Sequence, residues 1–150
     1  MPTYTCSTAR GVLDSEQRQR IAAGISRIHS AATGAPIGFC QCLFHDTEDA
    51  GHFIGGEPTP RESVFVYGRI RGGRTPEQRD QILAQIRDLL VDVIDIDPSL
   101  VWVYINELRH TDMVEFGHVL PEQGQEDQWV AGLPSALRDR LLALGQQATA

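Results

Sequence analysis

TPEQRDQILAQI, residues 75–86, reads as the start of a helix that the chain has already used once. Thr75 can cap the helix with its hydroxyl, Pro76 suits the first helical position, and Gln78 lies three residues after the cap. Shifted back by 61 positions, Glu77-Gln78-Arg79 falls on Glu16-Gln17-Arg18 without a gap. The same shift puts Ile82 on Ile21, Ile86 on Ile25, Leu89 on Ile28, Arg71 on Arg10 and Gly117 on Gly56. An identical tripeptide in register with three aliphatic pairs marks an internal duplication.

Each copy has the same order of elements. A strand over Thr3–Ser7 precedes the first helix, and one over Val64–Ile70 precedes the second. Asp14 stands where Thr75 caps. Ile21, Ile25 and Ile28, then Ile82, Ile86, Leu89 and Val93, form apolar stripes at helical spacing. A second strand closes each copy, over Gly38–Phe44 and Leu100–Asn106. The expectation is an α/β (α+β) fold in which two β-α-β units give a four-stranded sheet with two helices on one face. Residues 2–56 form the first unit and 63–117 the second, with Gly55 to Pro60 as a linker between them. Residues 120–150 form a tail with a final helix over Pro134–Leu144, stopped by Gly145, and 1–150 is a single domain.

Composition fits that class: of 150 residues, 41% are hydrophobic and 22% charged. A net charge of −7 argues against nucleic acid and acidic membrane surfaces as partners, so an anionic ligand needs a local arginine cluster. No segment approaches the roughly 18 apolar residues of a membrane span, and no apolar leader follows a basic start. The expected compartment is cytoplasmic. Cys6, Cys40 and Cys42 read as small buried hydrophobes rather than metal ligands.

Alternation assigns the sheet faces. Val101, Val103 and Ile105 point one way, with Cys40, Cys42 and Phe44 as their counterparts. Trp102, Tyr104 and Asn106 point the other way, with Gln41, Leu43 and His45. If the helices cover the first set, the aromatic second face is bare in a lone chain and calls for self-association.

Several residues could carry chemistry. Arg69-Ile70-Arg71-Gly72-Gly73-Arg74 closes a strand just before the capped helix, and two guanidiniums there could grip a small carboxylate. Singly, such a cluster reads as a solvated loop, Glu115 as an exposed glutamate, Tyr104 as a half-buried aromatic and His29 as a helix-surface histidine. Pro2 directly follows the initiator methionine. As a first strand residue it needs no further role, but with Met1 removed it would present a secondary amine.

Taken together and in order, Pro2, His29, Arg71, Arg74, Tyr104 and Glu115 resemble the pattern of the cis-3-chloroacrylic acid dehalogenase group of the 4-oxalocrotonate tautomerase superfamily. Pro2 to Cys6, Thr33-Gly34, Arg71-Gly72-Gly73-Arg74, Trp102-Val103-Tyr104, Met113-Val114-Glu115 and Leu120-Pro121 through to Trp129 extend the resemblance over nearly the whole chain. It implies a homotrimer and a cofactor-independent, metal-free site for a small carboxylate substrate. Arg71 and Arg74 would hold the carboxylate of a 3-substituted acrylate, with His29 polarising it. Glu115, oriented with Tyr104, would activate water, and Pro2 would deliver a proton. Members of that group carry tyrosine and arginine where this chain has Phe116 and His118, which bears on which acids fit. A keto–enol tautomerase using Pro2 as a base, and a trimeric binding protein without activity, are the alternatives.

Overall fold

Two 19-residue helices set the frame, because both begin with the same reciprocal cap. The computed structural model describes residues 1–147. Helix α1 (Ser15–Thr33) is capped by Asp14 and helix α2 (Pro76–Ile94) by Thr75. In each, the third helical residue, Gln17 or Gln78, returns a bond to the cap's backbone N–H. Both helices end on a left-handed residue, Gly34 in α1 and Asp95 in α2.

Strands β1 (Thr3–Ala9) and β2 (Gln41–Thr47) flank α1 and pair in parallel. Strands β5 (Val64–Arg71) and β6 (Val101–Leu108) flank α2 in the same way. The units join through antiparallel β1 and β5, giving the order β2-β1-β5-β6. Two short hairpins follow the outer strands: β3 (Phe53–Ile54) with β4 (Glu57–Pro58), and β7 (Val114–Glu115) with β8 (His118–Val119). The 61-residue repeat therefore extends to the helix caps, the helix lengths and the hairpins.

The core lies between the sheet and the two helices. Tyr4, Cys6, Val64, Val66 and Ile70 from the sheet meet Ile21, Ile25, Ile82, Ile86 and Leu90 from the helices. Each fully buried aliphatic side chain there contributes about 1.5–3 kcal/mol. Cys40, Cys42, Phe44, Val101, Val103 and Ile105 pack against this core, as the alternation predicts. Cys6 is buried, whereas Cys40 and Cys42 are only half-buried. The opposite face is open: Leu43 and Tyr104 are exposed. Phe65 and Tyr67 stack there, with Tyr104 edge-on to Phe65.

Several boundaries differ from the sequence reading, and all four main strands run one to three residues further than expected, to Ala9, Thr47, Arg71 and Leu108. Residues Ile37–Phe39 form a 3-10 turn rather than the start of a strand, and β2 begins at Gln41. Pro36 has no N–H to donate, and its carbonyl accepts from Phe39 N, which closes the turn. Leu100 likewise ends a 3-10 turn, Pro98–Leu100. The expected linker is instead part of a hairpin, because Gly55 and Gly56 both take positive φ and make its two-residue turn. The last helix, α4 (Ser135–Gln147), runs through Gly145 instead of stopping there, since one glycine inside a helix costs only about 1 kcal/mol. A further short helix, α3 (Glu126–Ala131), precedes it. None of the helices among the described residues is long and apolar enough to cross a membrane.

Candidate active site

Antiparallel pairing of β1 and β5 creates the site, because it lays the end of one strand beside the start of the other. Thr3 pairs with Arg69, so Arg71 and Arg74 arrive next to Pro2. Gln41 N donates to the Pro2 carbonyl at 3.1 Å and pins the chain's start. Beyond β5 the backbone turns at Gly73, with φ at 98°. Gly72 N donates to Leu108 O at 2.8 Å. Glu107 holds the loop from the β6 side, accepting from Arg74 N at 3.2 Å and Arg79 Nη1 at 3.3 Å.

Met1, Pro2, His29, Arg71, Arg74, Phe39, Leu120, Pro121, Glu126 and Trp129 line a cavity of about 20 Å³. That is room for about one water. Met1, itself nearly buried, is one of the lining residues, and its amino nitrogen lies 3.3 Å from Glu115 Oε2. Hairpin β7–β8 delivers Glu115 through a turn in which Phe116 and Gly117 both have positive φ, 52° and 81°. Phenylalanine in that region is strained.

Most buried polar atoms in a folded protein have partners. Among the described residues five side-chain atoms do not: His29 Nε2, Arg71 Nε and Arg74 Nε belong to residues lining this cavity, and Glu115 Oε2 lies beside it, paired only with the terminal amine. The fifth, Ser63 Oγ, lies elsewhere. Three nitrogens thus remain free for a ligand, and the Glu115 oxygen is held only by the Met1 amine.

The environment shifts these groups. His29 is held down to about 3, first by burial and then by Arg74, the terminal amine and Arg71. Its ring is therefore neutral, and its Nδ1 lies 2.8 Å from the hydroxyl of Tyr4. Burial also raises the Tyr4 hydroxyl, which keeps its proton. Where that O–H donates to Nδ1, the imidazole proton sits on Nε2, the ring nitrogen with no partner in the chain. Burial raises Glu115 and lowers the terminal amine, and their mutual attraction opposes both shifts. Arg74 is lowered by burial and by Arg71.

The tail closes over the arginines. Arg71 Nη1 donates to Pro121 O at 2.9 Å and Glu122 O at 3.3 Å, and Nη2 pairs with Glu126. With its amide oriented to match, Gln123 accepts from Arg74 Nη1 at 3.2 Å and donates to Gly73 O at 3.3 Å. Trp129 Nε1 donates to Val119 O at 2.9 Å.

The structure brings together Pro2, His29, Arg71, Arg74 and Glu115. It does not bring Tyr104, which is 56% exposed on the open sheet face. Tyr4 and Glu126 were missed by sequence reasoning. The period-2 pattern of β1 marks Tyr4 as inward-facing, but its reach to His29 depends on the sheet–helix packing. Glu126 follows no cap signal, since α3 begins without a side-chain cap. Among the described residues no His, Cys, Asp and Glu cluster could hold a metal.

The duplicated end of the sheet has lost this ionic set. The 61-residue shift replaces Pro2 with Ser63, Arg74 with Leu13, His29 with Leu90 and Glu115 with Ile54. Arg10 remains in the place of Arg71, but it is exposed and paired with Glu48.

A family model described as "Putative oxalocrotonate tautomerase enzyme" matches residues 1–132. No curated protein is similar enough to count as a match. Among solved structures, N1, a member of the cis-3-chloroacrylic acid dehalogenase family, is 35% identical over 94% of this chain and 99% of that one, with a TM-score of 0.89. Native Ps01740 is 32% identical over 75% of this chain and 99% of that one, with a TM-score of 0.71. Native fused 4-OT shares the fold at 21% identity and a TM-score of 0.71, over 78% of this chain and 94% of that one. The chain belongs to the tautomerase superfamily, in its cis-3-chloroacrylic acid dehalogenase-like group.

Proposed function

We propose that the protein is a cofactor-independent hydratase of small 3-substituted unsaturated carboxylates, of the cis-3-haloacrylate type. The observation that carries this reading is the set of buried unpartnered nitrogens of His29, Arg71 and Arg74 around one cavity, with the Glu115 carboxylate beside the chain terminus that lines it. The N–H groups of Arg71, Arg74 and His29 hold the substrate carboxylate and draw electron density from the double bond. Glu115 takes a proton from water as the water oxygen bonds to C3. The terminal ammonium of Pro2, freed by removal of Met1, gives its proton to C2. The resulting 3-halo-3-hydroxypropanoate loses halide and a proton, leaving malonate semialdehyde. Burial, which raises Glu115, suits it to act as a base nearer neutral pH.

Met1 lines the cavity, so its loss both enlarges the site and leaves an amine three bonds from the one now paired with Glu115. Tyr104, exposed on the open face, serves the site of a neighbouring chain in a homotrimer. The bare aromatic face supports that assembly, and fused 4-OT proteins of this fold are described as trimers.

A second reading, a keto–enol tautomerase with Pro2 as base, is favoured by one observation: burial lowers the terminal amine of Met1, three bonds from the Pro2 nitrogen. Intact mass before and after incubation with 3-bromopropiolate separates the two. Hydration of the alkyne generates an acylating species that is trapped on Pro2. One adduct on Pro2, absent in Glu115→Gln, is the expected result. A chain lacking Met1 that stays unmodified speaks for the tautomerase.

A further inference from the structure

Arg71 is only 8% exposed, and its guanidinium is almost fully used within the chain. Nη1 serves the carbonyls of Pro121 and Glu122, Nη2 pairs with Glu126, and Nε alone is free. Glu126 lines the same cavity. Burial works against its charge, but the hydrogen bond from Arg71 wins and keeps it ionised. Two guanidiniums face the cavity, yet one is already neutralised by a carboxylate of the chain itself. Glu115 and the terminal amine balance each other beside the cavity. One uncompensated positive charge remains for the ligand.

We propose that Glu126 sets the charge preference of the site: by neutralising one of the two buried guanidiniums, it restricts the pocket to substrates with a single carboxylate. It does so without using every donor, because its bond to Nη2 leaves Arg71 Nε without a partner in the chain. Glu126 is a specificity-determining residue that acts through Arg71. A second carboxylate on the ligand would meet Glu126 and Glu115 with no free cation to answer it, and in a buried site such a mismatch is weakly screened.

This inference rests on the carboxylate-binding part of the proposed function, and binding measurements test it apart from catalysis. The probes are isocrotonate, a monoanion, and maleate, a dianion at pH 8, titrated calorimetrically into the chain lacking Met1. Wild type is expected to bind isocrotonate about tenfold more tightly than maleate. Glu126→Gln should narrow that ratio about fivefold or more, because removing one negative charge favours a dianion over a monoanion. Any loss of Arg71 orientation weakens both acids alike and cancels in the ratio. Glu126→Asp, which keeps the charge, should keep the ratio near the wild-type value. A ratio unmoved by Glu126→Gln, or moved equally by Glu126→Asp, overturns the assignment. Failure of wild type to bind either acid overturns it together with the carboxylate site. Failure of the hydration reading alone would appear as no Pro2 adduct, with the binding ratio still dependent on Glu126.

Discussion

The hydroxyl of Tyr4 stands 2.8 Å from Nδ1 of His29, and both side chains are buried. A histidine placed there must stay neutral, and this has a measurable consequence for stability. Its folded-state value of about 3 lies far below the ordinary 6.5. Between those limits the unfolded chain binds the extra proton and the folded chain does not. The stability His29 confers is therefore full above pH 6.5 and is lost as pH falls towards 3, at up to about 1.4 kcal/mol per pH unit. His29→Gln removes that dependence. Urea melts at pH 7, 5.5 and 4, at one protein concentration, should show the gap between wild type and variant shrinking as pH falls. A gap that stays constant would mean that His29 is not held neutral.

Gly68 lies opposite Tyr4 across β1 and β5 for a packing reason. A Cβ there would stand 2.6 Å from Tyr4 Cε1. The ring is completely buried and cannot swing clear. Gly68→Ala is expected to cost about 1–3 kcal/mol and to pull the tyrosine hydroxyl away from His29, raising KM for the acid more than it lowers kcat. Thermal melts and steady-state kinetics on one preparation check this. Unchanged melting and KM together would show slack around the ring.

Glu115→Gln should cost roughly 10²- to 10⁴-fold in kcat for hydration, the usual range for a lost general base. The substitution also reports on the amine. Attraction by Glu115 raises the pKa of the Met1 amine; the Pro2 amine, freed three bonds away, is expected to feel the same pull, so loss of Glu115 should let its value fall. If Pro2 acts as an acid, the basic limb of the kcat/KM profile moves to lower pH. If Pro2 acts as a base, the acidic limb moves to lower pH instead. Profiles of residual activity over pH 5–10 decide between these outcomes.

Much of this was legible because duplication and capping are local signals. Glu16-Gln17-Arg18 and Glu77-Gln78-Arg79 locate both helices, and the alternation from Val101 to Asn106 identifies the buried face. Arg71, Arg74, His29 and Glu115 could be singled out, since two lie in a glycine-bearing loop and the others complete the pattern around Pro2. What stayed hidden depends on contacts distant in sequence. Glu126 meets Arg71 only because the tail folds back across the end of β5, and nothing in the short α3 segment announces it. Tyr4 is separated from His29 by 25 residues. Its role follows from how the sheet meets α1, which no spacing encodes. The Gly55–Pro60 stretch misled because turn residues mark a hairpin and a linker alike.

Phe116 offers a test of strain next to the site. It is the first of two turn residues with positive φ in the hairpin that carries Glu115. A two-residue turn of this type favours asparagine followed by glycine, and Gly117 already supplies the second. A left-handed conformation costs most L-residues about 1–2 kcal/mol, whereas asparagine tolerates it through its short polar side chain. Phe116→Asn should therefore raise Tm, by about 2–4 °C per kcal/mol recovered in a chain of this size. Glycine would relieve the strain as well but would add freedom to the unfolded chain, so Phe116→Gly should gain less. Calorimetry on both variants measures the order. If both melt below wild type, burial of the half-covered ring outweighs the strain of its backbone. If Phe116→Asn is more stable but also loses hydration activity, the strained phenylalanine is needed to aim Glu115 rather than to hold the fold.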